Sequence, residues 1–278
     1  MPNTLTGAQA AAAIYAQVRA RAALLDAPPC LAAVSVGAQP DDRAYLHSIA
    51  LSAAGCGIAV RPVPLPADCA PETLTDTLRA LSADGAVHGV LLLRPLPAAL
   101  RAQEMLDTLD ARKDVDGMTT RSLGALVTGA AGFAPCTAEA CMELLRAHGI
   151  DPAGRRVTVV GRSLVIGRPA ALLLTRADAT VTLCHRKTPD LAARCRDADI
   201  LLAAAGAPGL ITRDFVRPGQ IVLDAGATAL PDGTLRGDVA PDAAAIAVCT
   251  PVPGGIGSVT TALLLRHTVQ AAENLRHF

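Results

Sequence analysis

The sequence predicts a two-domain α/β protein in which each domain is built on parallel strands, and three observations predict it. Apolar runs of strand length alternate with helix-compatible stretches from end to end, the pattern of strands covered by helices on both faces. The 278 residues exceed one ordinary small domain and suffice for two, each with a core of its own. Past the middle, VTVVGRSLVIGRPAALLL (157–174) carries a strand through a glycine-bearing turn into a helix.

In chain order, CLAAVSV (30–36), IAVRPVP (58–64) and VHGVLLL (87–93) form a first group of strands. Between the first two, AYLHSIALSA (44–53) follows VGAQPDDR and opens a helix. Tyr45 and Ile49 stand one turn apart on one face, while His47, two positions from each, points elsewhere. Segments 71–83 and 97–109 carry helical spacing, and 110–136 reads as loop. A helix at 138–148 leads into the second group: RVTVVG (156–161), ATVTLC (179–184), DILLAAAG (199–206) and QIVLDAG (220–226), with a helix at 188–196. The boundary is expected near 137, and a last helix, 259–275, is expected to return to the first domain. That gives a first domain of 1–137 completed by 258–278, and a second of 138–257.

Formal net charge is zero with no block of like charge, so neither nucleic acid nor an anionic membrane is indicated, and a small-molecule partner is expected. No apolar run reaches the ~18 residues of a membrane span and the start lacks signal-peptide order, so the expected location is cytoplasmic. The eight cysteines are scattered without metal-site spacing, which suits reduced thiols; no disulfide and no metal are expected. Only Lys113 and Lys187 among the 25 basic residues are lysines.

Gly161 would permit a tight turn, Gly167 a close approach of helix to strand, and the helix start a bound phosphate. Ser163 replaces the middle glycine of G-x-G-x-x-G and the spacing is longer, so an ordinary βα turn is the competing reading. The following strand ends LCHRK, with Arg186 and Lys187 where NAD sites usually place an acid. With Arg162 in the turn, these cations favour the 2′-phosphate of NADP, the alternative being a solvated basic tip. KDVDG (113–117) sets Asp114 and Asp116 two apart in a polar loop, either paired carboxylates at a site or plain turn chemistry. RPLP (94–97) and TPVPGGIG (250–257) are stiff turns just beyond strands, where open α/β sheets bind ligands. Cys136 has no base at a recognisable spacing, and His185 reads as a pocket-edge or surface residue rather than a general base.

Taken in order, VGAQPDDRAY, RPLP, KDVDG, PCTA, VVGRSLVIGRP, CHRKT, GDV and TPVPGGIG resemble the bifunctional 5,10-methylenetetrahydrofolate dehydrogenase/cyclohydrolase family over about residues 30–270. The resemblance implies an N-terminal catalytic domain, a Rossmann-like NADP domain, a folate cleft between them and a homodimer. It implies that Tyr45 stacks on the aminobenzoyl ring of a tetrahydrofolate derivative and that Asp116 holds the pterin. It places Pro253, Gly254 and Gly255 at the substrate, and Gly161, Arg162, Ser163, Gly167, Arg186 and Ala227 at the cofactor. This sequence departs from the pattern at two places: the family's Y-x-x-x-K lysine is Ile49, and its glutamine before P-L-P is Leu93. Drift toward arginine would have kept the charge, whereas here both partners are apolar. The expected activity is NADP-dependent oxidation of 5,10-methylenetetrahydrofolate with cyclohydrolase weak or absent. The alternatives are a paralogue acting on another folate or iminium substrate, and a non-catalytic folate- or NADP-binding pseudoenzyme.

Overall fold

The computed structural model describes residues 4–37, 40–101, 103–230 and 232–276. Two compact units emerge, Ala13–Cys136 with Thr261–Phe278, and Met1–Ala12 with Thr137–Thr260.

In the first unit β1 (Cys30–Val36), β2 (Ala59–Leu65) and β3 (Gly89–Leu92) form a parallel sheet in the order β2-β1-β3. Central β1 is buried at every residue after Cys30, so its small alanines suit a strand covered on both faces. β2 lies at an edge, the place where a strand tolerates Pro62 and Pro64. Around the sheet run α1 (Ala8–Ala22), α2 (Pro40–Ala54) and α3 (Pro71–Ala83). α3 starts on a proline, needs no N–H there, and buries Leu74, Leu78 and Leu81 along one stripe. α2 buries Ile49 and Ala53, one turn apart.

Two local expectations need correction. Segment 97–109 is not one helix but a 3₁₀ turn, Ala98–Leu100, and a four-residue helix, Gln103–Leu106. The leucines it buries, Leu100, Leu106 and Leu109, come from separate short turns, and the Arg101 side chain donates to the Leu96 carbonyl at 2.6 Å. Conversely, 110–136 contains α4 (Thr120–Thr128), started by Thr119, whose hydroxyl accepts from Ser122 N–H, and stopped by Gly129 at φ 76°.

Lys113, buried in the KDVDG loop, donates from Nζ to the carbonyls of Asp84 (2.7 Å) and Leu81 (3.2 Å) and so caps the end of α3. Burial pushes its ammonium below the usual lysine value. One of the two lysines is therefore structural. Lys113→Ala is expected to cost ~1–3 kcal/mol by leaving those carbonyls without their donor, with NADP affinity unchanged; urea denaturation and a cofactor titration check both halves.

The second unit resumes at Thr137 within α5 (Cys136–Ala147), followed by β4 (Arg156–Val160), α6 (Gly167–Arg176), β5 (Thr180–Cys184), α7 (Leu191–Asp197), β6 (Ile200–Ala203) and β7 (Ile221–Asp224). Val248–Cys249 form β8, a strand too short to show in the sequence pattern, and the parallel sheet runs β8-β7-β6-β4-β5. The order reverses at β4, which opens the switch-point crevice between the carboxyl ends of β4 and β6. Cys184, Cys195 and Cys249 pack into the core of this unit with Val160, Leu201 and Val222. Burial raises all three thiols, Cys195 to about 12 and Cys249 to about 11, which makes them inert packing groups. Residues up to Ala12, which the sequence reading gives to the first domain, group with this unit: Leu5 N–H donates to Cys249 O and Gly7 N–H to Gly254 O, both at 2.9 Å. The last helix, α8 (Ile256–Leu275), starts three residues earlier than the sequence predicts.

Candidate active site

In the first unit the KDVDG loop is laid along β3, where Val90 N–H donates to Lys113 O at 2.8 Å. The approach requires glycine in the strand: a Cβ on Gly89 would stand 2.8 Å from Val115 Cγ1. The two aspartates then part in role. Asp114 is buried and committed, accepting from Met118 N–H (3.0 Å), Thr119 N–H (2.7 Å) and the Ser122 hydroxyl (2.6 Å). It braces the start of α4. Gly117 turns the chain at φ 69°, where a Cβ would lie 2.5 Å from the Ala134 carbonyl carbon.

Asp116 keeps an accessible edge, yet its carboxyl is raised to about 7, first by desolvation and then by the charge of Asp114. Arg94, His267 and a hydrogen bond with the Cys136 thiol pull the other way. Such a group is poised between charged and neutral forms at physiological pH. Tyr45 is 41% exposed, so a large part of the ring is accessible. Its phenol is nonetheless pushed up, foremost by burial and then by the nearby charges of Asp116 and Cys136, against a hydrogen bond with Thr261. The structure thus brings Tyr45 and Asp116 into one electrostatic neighbourhood.

Ile49 and Leu93, in the same unit, have side chains without polar atoms. Ile49 is wholly buried and Leu93 is 6% exposed, its N–H bonded to Val34 O at 2.9 Å. His47 is exposed, as its place on α2 predicts. Arg94, the next residue after Leu93, is the exposed cation felt by Asp116 and precedes a cis peptide to Pro95.

Sequence reasoning set Cys136 aside for want of a base and missed His267. His267 lies on α8 and is buried, with Nδ1 2.8 Å from Val115 O and 3.6 Å from Cys136 Sγ, and its ring 4.8 Å from Phe133. With a separation of 131 residues, no spacing rule connects Cys136 to His267. Thr261, beside Tyr45, was missed for the same reason.

In the second unit the glycine turn is as tight as the motif demands. Gly161 sits at φ 127°, and a Cβ there would be 2.0 Å from Ala204 O; one on Gly167 would be 2.0 Å from Gly161 O. α6 therefore starts hard against the end of β4. No side chain caps α6, and Ser163 Oγ accepts instead from Ile166 N–H at 3.1 Å. An uncapped helix start at a switch-point crevice suits a phosphate group. Gly161 N–H donates to Cys184 O at 2.9 Å, which sets the turn with Arg162 beside the tip with Arg186 and Lys187, all exposed. His185 shapes that tip rather than any reaction: its Nδ1 accepts from Lys187 N–H at 3.2 Å and its own N–H donates to the Thr188 hydroxyl at 2.9 Å. Ala227 follows β7, exposed. Within this unit Gly7 backs the PVPGG turn, since a Cβ on it would stand 2.2 Å from Gly255 O, and Gly254 takes φ 101°. Pro253 and Gly254 are exposed and Gly255 is buried.

Residues 5–116 match the model of the tetrahydrofolate dehydrogenase/cyclohydrolase catalytic domain, and 135–276 that of the family's NAD(P)-binding domain. The bifunctional protein FolD of Chloroflexus aurantiacus is 47% identical over 265 residues, covering 94% of this chain and 91% of that one. Among solved structures, the bifunctional FolD methylenetetrahydrofolate dehydrogenase/cyclohydrolase of Campylobacter jejuni superposes with a TM-score of 0.93 at 36% identity, covering 98% of each chain. The Trypanosoma brucei methylenetetrahydrofolate dehydrogenase-cyclohydrolase, complexed with NADP cofactor and inhibitor, gives 0.91 at 35%, covering 98% of this chain and 97% of that one.

Proposed function

The chain belongs to the tetrahydrofolate dehydrogenase/cyclohydrolase family, and from that premise we infer that it oxidises 5,10-methylenetetrahydrofolate to the 5,10-methenyl cation with NADP and hydrolyses the product weakly or not at all. The observation that carries this reading is the pair of buried hydrocarbons, Ile49 and Leu93, in the unit where Tyr45 and Asp116 remain. The two family reactions ask for different things. Oxidation breaks a C–H bond at the methylene bridge with its electron pair, and the flanking nitrogen lone pair stabilises the resulting cation. No proton leaves the carbon, so holding and aligning the substrate suffice. Hydrolysis adds water at that carbon and moves protons, a task for a positioned acid or base worth ~10²–10⁴-fold. Neither Ile49 nor Leu93 can perform it.

In this assignment the Asp116 carboxylate accepts hydrogen bonds from the pterin edge, and Tyr45 offers its exposed ring to the aminobenzoyl group. The residues of the second unit suit a dinucleotide: Gly161 and Gly167 permit the tight turn, the start of α6 meets phosphate, and Arg162 and Arg186 meet the 2′-phosphate. When bound, NADP supplies the hydride acceptor. Formation of NADPH from methylenetetrahydrofolate by the purified protein tests the reading, and no turnover above the enzyme-free rate would end it.

NADP is expected to be preferred over NAD by ~10²-fold or more in kcat/KM, because each charge-assisted bond to the 2′-phosphate contributes ~1.5–3 kcal/mol. Arg186→Ala should shrink that ratio. Equal kcat/KM for the two cofactors in the unmutated protein contradicts it. A cytoplasmic homodimer paired through the nucleotide unit completes the proposal. Supporting it, β5 is an edge strand whose Leu183 is 40% exposed, and no helix among the described residues is long and apolar enough to cross a membrane.

A further inference from the structure

Two buried carboxylates in the nucleotide unit are used by nothing described so far. Asp224, the last residue of β7, and Asp238, in GDV, are 4% and 0% exposed. Asp224 Oδ1 accepts from Gly226 N–H (3.0 Å) and Asp238 N–H (2.9 Å), and its Oδ2 from Val239 N–H (2.9 Å). Asp238 in turn accepts from Ala205 N–H (2.6 Å) and Gly206 N–H (3.1 Å) on Oδ2, and from Ala207 N–H (2.7 Å) on Oδ1. Each aspartate also occupies the space over the other motif's glycine. A Cβ on Gly237 would lie 2.0 Å from Asp224 Oδ2, and one on Gly226 2.5 Å from Asp238 Oδ1. The D-A-G and G-D-V strings are thus two halves of one clasp, each supplying an acid to the other's glycine.

What the clasp fixes is the backbone around the switch-point crevice. Residues 205–207 leave the end of β6 directly after Ala204, the residue against which the Gly161 turn is pressed. Residues 225–227 leave the end of β7, and Gly226 N–H is tied to Asp224. The Thr250 hydroxyl accepts from Asp224 N–H at 2.7 Å and anchors the clasp toward the neighbouring strand. Buried as they are, the two carboxylates are engaged by backbone N–H groups. We propose that Asp224 and Asp238 are positioning residues for the dinucleotide, setting the path of loops 205–207 and 225–227 so that their backbone meets the cofactor. The proposal rests on NADP binding by this unit and is independent of which substrate the other unit takes.

Two variants test it by calorimetric titration of NADP, which needs no turnover. Asp238→Asn keeps one acceptor oxygen and turns an amide NH₂ toward a backbone donor, so NADP Kd should rise ~10-fold or more. Gly237→Ala removes no polar group but drives a methyl into Asp224, and Kd should rise in the same direction while the KM for the folate stays within about twofold. A purely structural role would instead lower the bound stoichiometry or the melting temperature with Kd unchanged in the folded fraction. That result, or an NADP Kd within twofold of the unmutated protein in Gly237→Ala, overturns the proposal. If Asp238→Asn does not fold, Gly237→Ala, which retains both carboxylates, decides alone. NADP binding by an unmutated protein that leaves methylenetetrahydrofolate untouched would refute the substrate reading without touching this one.

Discussion

Asp116→Ala is expected to lower kcat/KM for methylenetetrahydrofolate by ~10²-fold or more while NADP binds with nearly unchanged affinity. The carboxylate is assigned two or more hydrogen bonds from the pterin edge, each assisted by its charge and each worth ~1.5–3 kcal/mol, so their joint loss amounts to ~10²-fold or more. The NADP contacts are assigned to the other unit's turn, so calorimetry should report a Kd within about twofold. A pH profile sharpens the test. Because desolvation and Asp114 raise the Asp116 carboxyl to about 7, the free protein carries it largely neutral below that pH and charged above it. Only the charged form offers both oxygens as acceptors to a donor edge. The folate kcat/KM, which reports the free enzyme, should therefore fall as pH drops through about 7, and NADP binding should show no such limb. Asp116→Asn, which does not titrate, should be low and flat. Unchanged folate kinetics in Asp116→Ala would reduce the KDVDG loop to a brace for β3 and α4.

How far this was legible beforehand depends on whether a feature is local. The glycine turn could be read because Gly161 and Gly167 act on backbone within a few residues, and the crowding at both is what tight turns and close helix starts impose. Tyr45 and Ile49 could be placed on one face of α2 because helical period is a property of neighbours. From the residues alone the division of labour in KDVDG was not readable, and only the family resemblance singled out Asp116. Whether Asp114 or Asp116 is spent on structure depends on α4, and whether Lys113 is a site or a cap depends on α3, 29 residues or more away. His267 and the Asp224–Asp238 clasp escaped altogether, since contacts closed by tertiary folding leave no period and no spacing. The missed helix α4 is a different failure, because its signal was present. Thr119 and Gly129 punctuate it at both ends, but Gly124 inside weakens the propensity that would have drawn attention.

The second large effect concerns what becomes of the product. Mixed with methylenetetrahydrofolate and NADP, the purified protein is expected to accumulate the methenyl compound, which then decays at the enzyme-free rate. Following NADPH formation and methenyl absorbance in one cuvette separates the two steps. The physical reason lies in the two buried side chains, Ile49 and Leu93. Burying both without polar atoms leaves no half-made hydrogen-bond network and no unpaired charge, a self-consistent apolar filling. Repairing one side alone should therefore fail. Ile49→Lys puts an ammonium at a position with no solvent exposure, and with Leu93 retained it lacks the polar partner that would favour its charged form. Leu93→Gln alone adds a polar group but nothing that titrates near neutrality. The double variant, Ile49→Lys with Leu93→Gln, supplies a proton-transfer group and a hydrogen-bonding partner, and should raise hydrolysis ~10-fold or more over either single variant if general acid/base help returns even in part. The comparison of four proteins measures the coupling between the two positions directly. Additive or absent gains would mean that the two positions do not work as a pair. If the unmutated protein already hydrolyses the methenyl compound as fast as it forms it, the proton transfer comes from another group, with Asp116, poised at about 7, the first to replace.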